Sequence, residues 1–116
     1  MKDSALFADL YSLTMAQGYW KTGMNRRAIF EMFFRMQPFG GGFSIFAGLG
    51  TLLEKLQNLT FSADDIAYLK TLRLFDDSFL EYLKNFRFSG SVWAMEEGSV
   101  VFPSEPLIRV DGGLAM

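Results

Sequence analysis

Val92-Trp93-Ala94-Met95-Glu96-Glu97-Gly98-Ser99-Val100-Val101-Phe102-Pro103-Ser104-Glu105-Pro106-Leu107-Ile108-Arg109-Val110 holds three short apolar runs separated by turn formers. Runs of three or four β-branched and aromatic residues are too short for helices. The spacing predicts strands over Val92–Met95, Val100–Phe102 and Leu107–Val110, with turns at Glu97-Gly98 and at Pro103-Ser104-Glu105-Pro106. Upstream the texture is helical. A first helix is expected from Ser4 to Tyr19, with Leu6, Leu10, Leu13 and Gln17 on one face and Phe7, Tyr11, Met15 and Gly18 beside them. Either Asp3-Ser4 or Asp9 suits its cap. A second is expected from Gly48 to Leu59, with Leu49, Leu52, Leu53 and Leu56 inward. Ser62 followed by Asp65 forms a capping pattern for a helix over Ala63–Thr71. Asp76-Asp77 opens a further helix that buries Phe79, Leu80, Leu83 and Phe86. Helices early and strands late point to an α+β class and not to repeated βαβ units.

Between the first two helices, Lys21 to Asn25 reads as a turn. Arg27 to Gln37, with Ala28-Ile29-Phe30-Glu31-Met32-Phe33-Phe34 at its heart, is apolar on both parities, which predicts a buried strand. Pro38-Phe39-Gly40-Gly41-Gly42 must be a loop, and Phe43–Ala47 a short strand. The closing Gly112-Gly113-Leu114-Ala115-Met116 shows no terminating element.

Composition narrows the chemistry. The chain has 116 residues, half of them apolar, which suits one domain over residues 1–116 with a core of its own. Eleven Lys plus Arg against thirteen Asp plus Glu leave a net charge of -2, without the basic footprint of a nucleic-acid binder. Cysteine and histidine are both absent from the sequence, so disulfides, thiolate nucleophiles and imidazole relays are not available to it. No apolar stretch reaches the roughly 20 residues of a membrane span, and the first residues do not form a secretory signal. A cytoplasmic-type protein without a membrane partner is expected. Thirteen Phe, four Tyr and two Trp exceed what so small a domain easily buries, which points to a face covered by another domain or subunit.

Three sites could carry chemistry. Asp9 and Tyr11 stand two residues apart near a helix start, where on the residues alone capping and packing is the favoured reading and presentation to a ligand the alternative. Arg35 closes an apolar strand, kept there for an anionic ligand or paired with Glu31 four residues earlier. Gly40-Gly41-Gly42 lacks the lysine and hydroxyl of a phosphate-binding loop and reads as a plain turn that lets two strands approach. Glu96 and Glu97 point to opposite faces of a strand end, so they are solvated turn residues and not a catalytic carboxylate pair.

Asp9-Leu10-Tyr11-Ser12-Leu13-Thr14-Met15-Ala16-Gln17-Gly18-Tyr19-Trp20, Phe30-Glu31-Met32-Phe33-Phe34-Arg35 with Pro38-Phe39-Gly40-Gly41-Gly42-Phe43, and Glu97-Gly98-Ser99-Val100-Val101-Phe102-Pro103 with Glu105-Pro106-Leu107 together resemble the nicotinate phosphoribosyltransferases, a type II phosphoribosyltransferase family. The resemblance implies an amino-terminal α+β domain whose partner α/β barrel is absent from this chain. It implies transfer of phosphoribose from phosphoribosyl pyrophosphate to nicotinate, coupled to ATP hydrolysis with Mg2+, as an entry to NAD by salvage. It further implies a homodimer whose active site is shared between subunits. By the same resemblance Tyr11 lies against the pyridine ring, with Asp9 nearby, and Arg35 faces phosphate groups. The barrel's catalytic histidine has no counterpart here, so the chain alone is expected to be inactive and to bind neither ATP nor Mg2+. Ala8 and Gly113 depart from the threonine and proline usual in the family. A free-standing interaction domain paired with a separate barrel chain, and a nicotinamide-using relative, are the alternatives.

Overall fold

The computed structural model describes residues 4–114. In chain order the elements are α1 (Leu10–Lys21), β1 (Arg27–Met32), a 3-10 turn at Pro38–Gly40, β2 (Ser44–Ile45), α2 (Leu49–Gln57), α3 (Ala63–Thr71), α4 (Asp77–Lys84), β3 (Ser91–Ala94), β4 (Val100–Val101) and β5 (Ile108–Gly113). Strands β1, β5 and β3 form one sheet in that order, and β2 pairs with β4 in a second. Every pairing is antiparallel, as the α+β reading requires.

The core is divided. Ile66, Leu69, Phe79, Leu80 and Leu83 form a helical cluster, on which Leu13, Ala16 and Trp20 of α1 pack. Phe79 sits at its centre, fully buried, with ring contacts at 5.7 Å to Trp20, 5.9 Å to Tyr82 and 6.0 Å to Phe75. Phe46, Val101, Leu107 and Ile108 form the other cluster, under the two sheets. All four residues expected inside α4 are buried. The capping box of α3 is present, with the Ser62 hydroxyl accepting from the Asp65 amide and the Asp65 carboxylate accepting from the Ser62 amide.

Several expectations are corrected. Helix α1 begins at Leu10 and not at Ser4. Asp3 lies outside the described residues, and the Ser4 hydroxyl is engaged elsewhere, donating to Asp65 at 2.7 Å. The strand from Arg27 ends at Met32 and is largely exposed, with Phe30 63 % accessible, because the chain offers a sheet partner on one edge but no layer to cover its apolar side chains. Arg35 therefore sits in a bend beyond the strand, and no ion pair joins it to Glu31 among the described residues. In α2 Leu49, Leu52 and Leu56 are half-buried while Leu53 is exposed. The glycine loop joins β1 and β2, which belong to different sheets and do not pair with each other. Gly112 and Gly113 are no loose end, for they pair with Ala28 and Arg27 inside β5. Glu97 is the exposed turn residue expected, and it has a further task. Its carboxylate accepts from the Gly48 amide at 2.7 Å and the Leu49 amide at 2.8 Å, and so caps the start of α2.

Candidate functional site

Helix α1 has two working faces. Leu13, Ala16 and Trp20 hold the helical cluster, while Tyr11, Ser12, Met15 and Tyr19, turned roughly a quarter away, look toward the sheet. The facing side of the sheet follows from strand alternation: Ala28 and Phe30 of β1 lie beside Gly112 and Val110 of β5. Between them runs an apolar cleft of about 460 Å³, closed at its end by Phe88 and Leu114. Gly112 presents no side chain there, so the cleft has depth against the backbone of β5.

Tyr11 is 63 % exposed in the first turn of α1. None of the helix's residues is fully buried, and it is anchored by the packing of Leu13, Ala16 and Trp20 on the helical cluster. Polar bonds add to that packing. The Gln17 amide donates to the Leu74 carbonyl at 3.1 Å and accepts from the Asp76 amide at 2.7 Å, and Lys21 pairs with Asp76 at 2.5 Å. These contacts fix where Tyr11 stands.

Asp9 occupies the N-cap position with extended backbone angles, yet its side chain makes no capping bond. The carboxylate is thus left exposed two residues before Tyr11. Arg35 is exposed and has neither an ion pair nor a side-chain hydrogen bond among the described residues. Asp9 and Tyr11 are therefore neighbours at one helix start, and Tyr11 lines the cleft. Arg35 lies outside it, five residues past Phe30.

Residues that sequence patterning missed sit on the other side of the same sheet. Arg27 donates from Nε to Asp111 Oδ1 at 2.6 Å and from Nη2 to Oδ2, a bidentate pair between diagonal neighbours of β1 and β5. Asp111 is only 7 % exposed, and the guanidinium beside it holds its carboxyl below the usual range. The one available signal was an acid, Asp111, set between Ile108-Arg109-Val110 and the glycine pair of β5. No group of three or more His, Cys, Asp or Glu side chains among the described residues is placed to hold a metal ion. No helix among them is long and apolar enough to cross a membrane.

Residues 6–116 match the model of the nicotinate phosphoribosyltransferase (NAPRTase) N-terminal domain. The chain is 46 % identical over 106 residues to nicotinate phosphoribosyltransferase pncB2 of Mycobacterium tuberculosis, covering 91 % of this chain and 23 % of that protein. With the nicotinate phosphoribosyltransferase of Caenorhabditis elegans the identity is 44 % over 115 residues, 96 % of this chain and 20 % of the relative. The crystal structure of human nicotinic acid phosphoribosyltransferase superposes with a TM-score of 0.82 at 39 % identity, over 95 % of this chain and 23 % of that one. The chain thus spans between a fifth and a quarter of the length of these relatives.

Proposed function

The chain belongs to the nicotinate phosphoribosyltransferase family as its amino-terminal domain, and from that membership we propose that it supplies the nicotinate-facing wall of a shared active site. The reaction is phosphoribosyl transfer from phosphoribosyl pyrophosphate to the pyridine nitrogen of nicotinate, giving nicotinate mononucleotide and pyrophosphate in NAD salvage, in the cytoplasm. Tyr11 carries this reading. A large aromatic ring left 63 % exposed beside an apolar cleft is costly in water unless a second flat apolar surface covers it. The pyridine ring is such a surface. Stacking binds and orients nicotinate so that its nitrogen meets the sugar carbon, and it moves no proton. Asp9, uncommitted at the helix start, flanks that ring, and Arg35 offers a planar fork to a phosphoryl or pyrophosphoryl oxygen.

ATP and Mg2+ enter this reading through the family membership alone. Their chemistry, and the phosphorylated histidine, belong to a barrel domain supplied from outside these residues. The partner is a second copy of the enzyme in a homodimer, which brings the barrel of one subunit to the Tyr11 face of the other. The breadth of exposed apolar surface supports a protein partner of this kind, including the variant in which the barrel is a separate chain.

Replacing Tyr11 by Ala in a complete enzyme carrying this domain is expected to raise the nicotinate KM about two- to tenfold, the factor an aromatic pair contributes beyond area. An unchanged nicotinate KM overturns the stacking role. The 116-residue chain mixed with nicotinate, phosphoribosyl pyrophosphate, ATP and Mg2+ is expected to form no mononucleotide, and product detected by chromatography overturns the division of labour.

A further inference from the structure

On the face of the sheet opposite Tyr11 lies a second cleft, of about 640 Å³, between the C-terminal end of α4 and the paired ends of β1 and β5. Arg27, Arg87, Asn85 and Asp111 line it, with the backbone of Gly112 and Gly113 as its floor. We propose that this cleft is a binding site for a phosphate-bearing small molecule, gripped by the guanidinium groups of Arg27 and Arg87.

The asymmetry of the Arg27–Asp111 pair argues for it. Here the Asp111 side chain is 6 % exposed and that of Arg27 is 75 % exposed. Burying a carboxylate this deeply is expensive, and an apolar residue would pack as well. What the arrangement achieves is orientation: Nε and one Nη2 hydrogen are tied to Asp111, which fixes the plane of the guanidinium and leaves Nη1 uncommitted on a residue that lines the cleft. Arg87 is likewise tethered, donating from Nη1 to its neighbouring Phe86 carbonyl at 2.5 Å. Its other nitrogens stay open to solvent.

Charge and space agree with the geometry. The two arginines outweigh Asp111, so the cleft is positive in a chain whose net charge is -2. Two planar guanidinium groups lining one cleft suit the tetrahedral oxygens of a phosphate better than a monovalent ion of no fixed shape. The cleft is larger than inorganic phosphate requires and leaves room for the group that the phosphate is attached to. The Asn25 side chain fills the space above Gly113, where a Cβ would fall 2.2 Å from Asn25 Oδ1, so a larger residue there would shift Asn25.

The site is independent of the nicotinate reading, and the chain itself tests it. The ¹⁵N-labelled protein is titrated with inorganic phosphate and with pyrophosphate at constant ionic strength, with chloride as control. Saturable shifts at the Arg27 and Arg87 Nε–H and at the Gly112 and Gly113 amides are expected with both phosphates and not with chloride. Arg87→Gln is expected to weaken the pyrophosphate Kd roughly tenfold or more, the loss of one charge-assisted bond, with the melting temperature of the unliganded protein unchanged. Arg27→Lys keeps the charge and loses the fork, and is expected to weaken binding likewise. Should that variant fail to fold, Arg87→Gln decides alone. Shifts that do not saturate, that chloride reproduces, or that survive Arg87→Gln overturn the proposal.

Discussion

Asp111 holds a charge almost out of water, and pH therefore reaches the fold through it. The Arg27 fork stabilises the ionised carboxylate, so the folded chain holds this proton less tightly than the unfolded one, whose carboxylate titrates near 3.9. The stability contributed by the pair is then complete above that value and is lost as pH falls through it and on toward the lower folded value. Thermal melts from pH 7 to pH 3 are expected to show a steeper fall for the native chain than for Asp111→Asn, which already melts lower at pH 7. Parallel curves would remove the pair from the acid response. Sequence reading reached some residues at this scale and not others. Asp9 and Tyr11 stand adjacent on one helix start, so local spacing brings them together. Arg27 meets Asp111 across 84 positions, through a diagonal of a strand register that no local pattern encodes.

Helices α2 and α3 show the same contrast one level up. The cap of α3 is local, Ser62 with Asp65, and was legible as a four-residue pattern. The cap of α2 comes from Glu97, 49 positions from the Gly48 amide it accepts from, so the sequence showed only an acid in a turn. Ser62→Ala and Glu97→Ala are each expected to lower stability by about 1 kcal/mol in chemical denaturation. They should differ in where they act: hydrogen exchange quickens at the start of α3 in the first and at the start of α2 in the second. Exchange that rises uniformly in both would mean that the caps act only on global stability. The burial of β1 was misread for a physical reason. An apolar strand on both parities announces two covering layers, but not whether those layers belong to the same chain.

The molecule as a whole is larger than its mass predicts. Its radius of gyration is 16.5 Å, against about 13 Å for a compact chain of this length. Its accessible surface is 8351 Å², where about 6,400 Å² is typical of a folded monomer of 13.2 kDa. An excess of about 1,900 Å² on one chain is more than twice the roughly 800 Å² that a standard interface takes from each partner. Ile29, Phe30, Met32 and Trp93 on the three-stranded sheet, with Phe33, Phe39 and Phe43 on the connection that follows β1 and Ile45 on β2, make that surface sticky. The isolated chain is expected to self-associate in analytical ultracentrifugation or to brighten a hydrophobic dye, and a monomeric, dye-silent sample at high concentration would count against a missing cover. The aromatic surplus was visible in composition, whereas its location required the sheet order. That order also sets a timetable. The central strand of the three-stranded sheet, β5, is the last to be made, so β1 leaves the ribosome with neither edge paired and waits for residues Ile108–Gly113. At about 5–20 residues per second the wait is roughly 4–15 s. Through that interval Ile29-Phe30-Glu31-Met32-Phe33-Phe34 is a naked aggregation-prone ribbon on a growing chain, and slower translation of the helical middle lengthens its exposure.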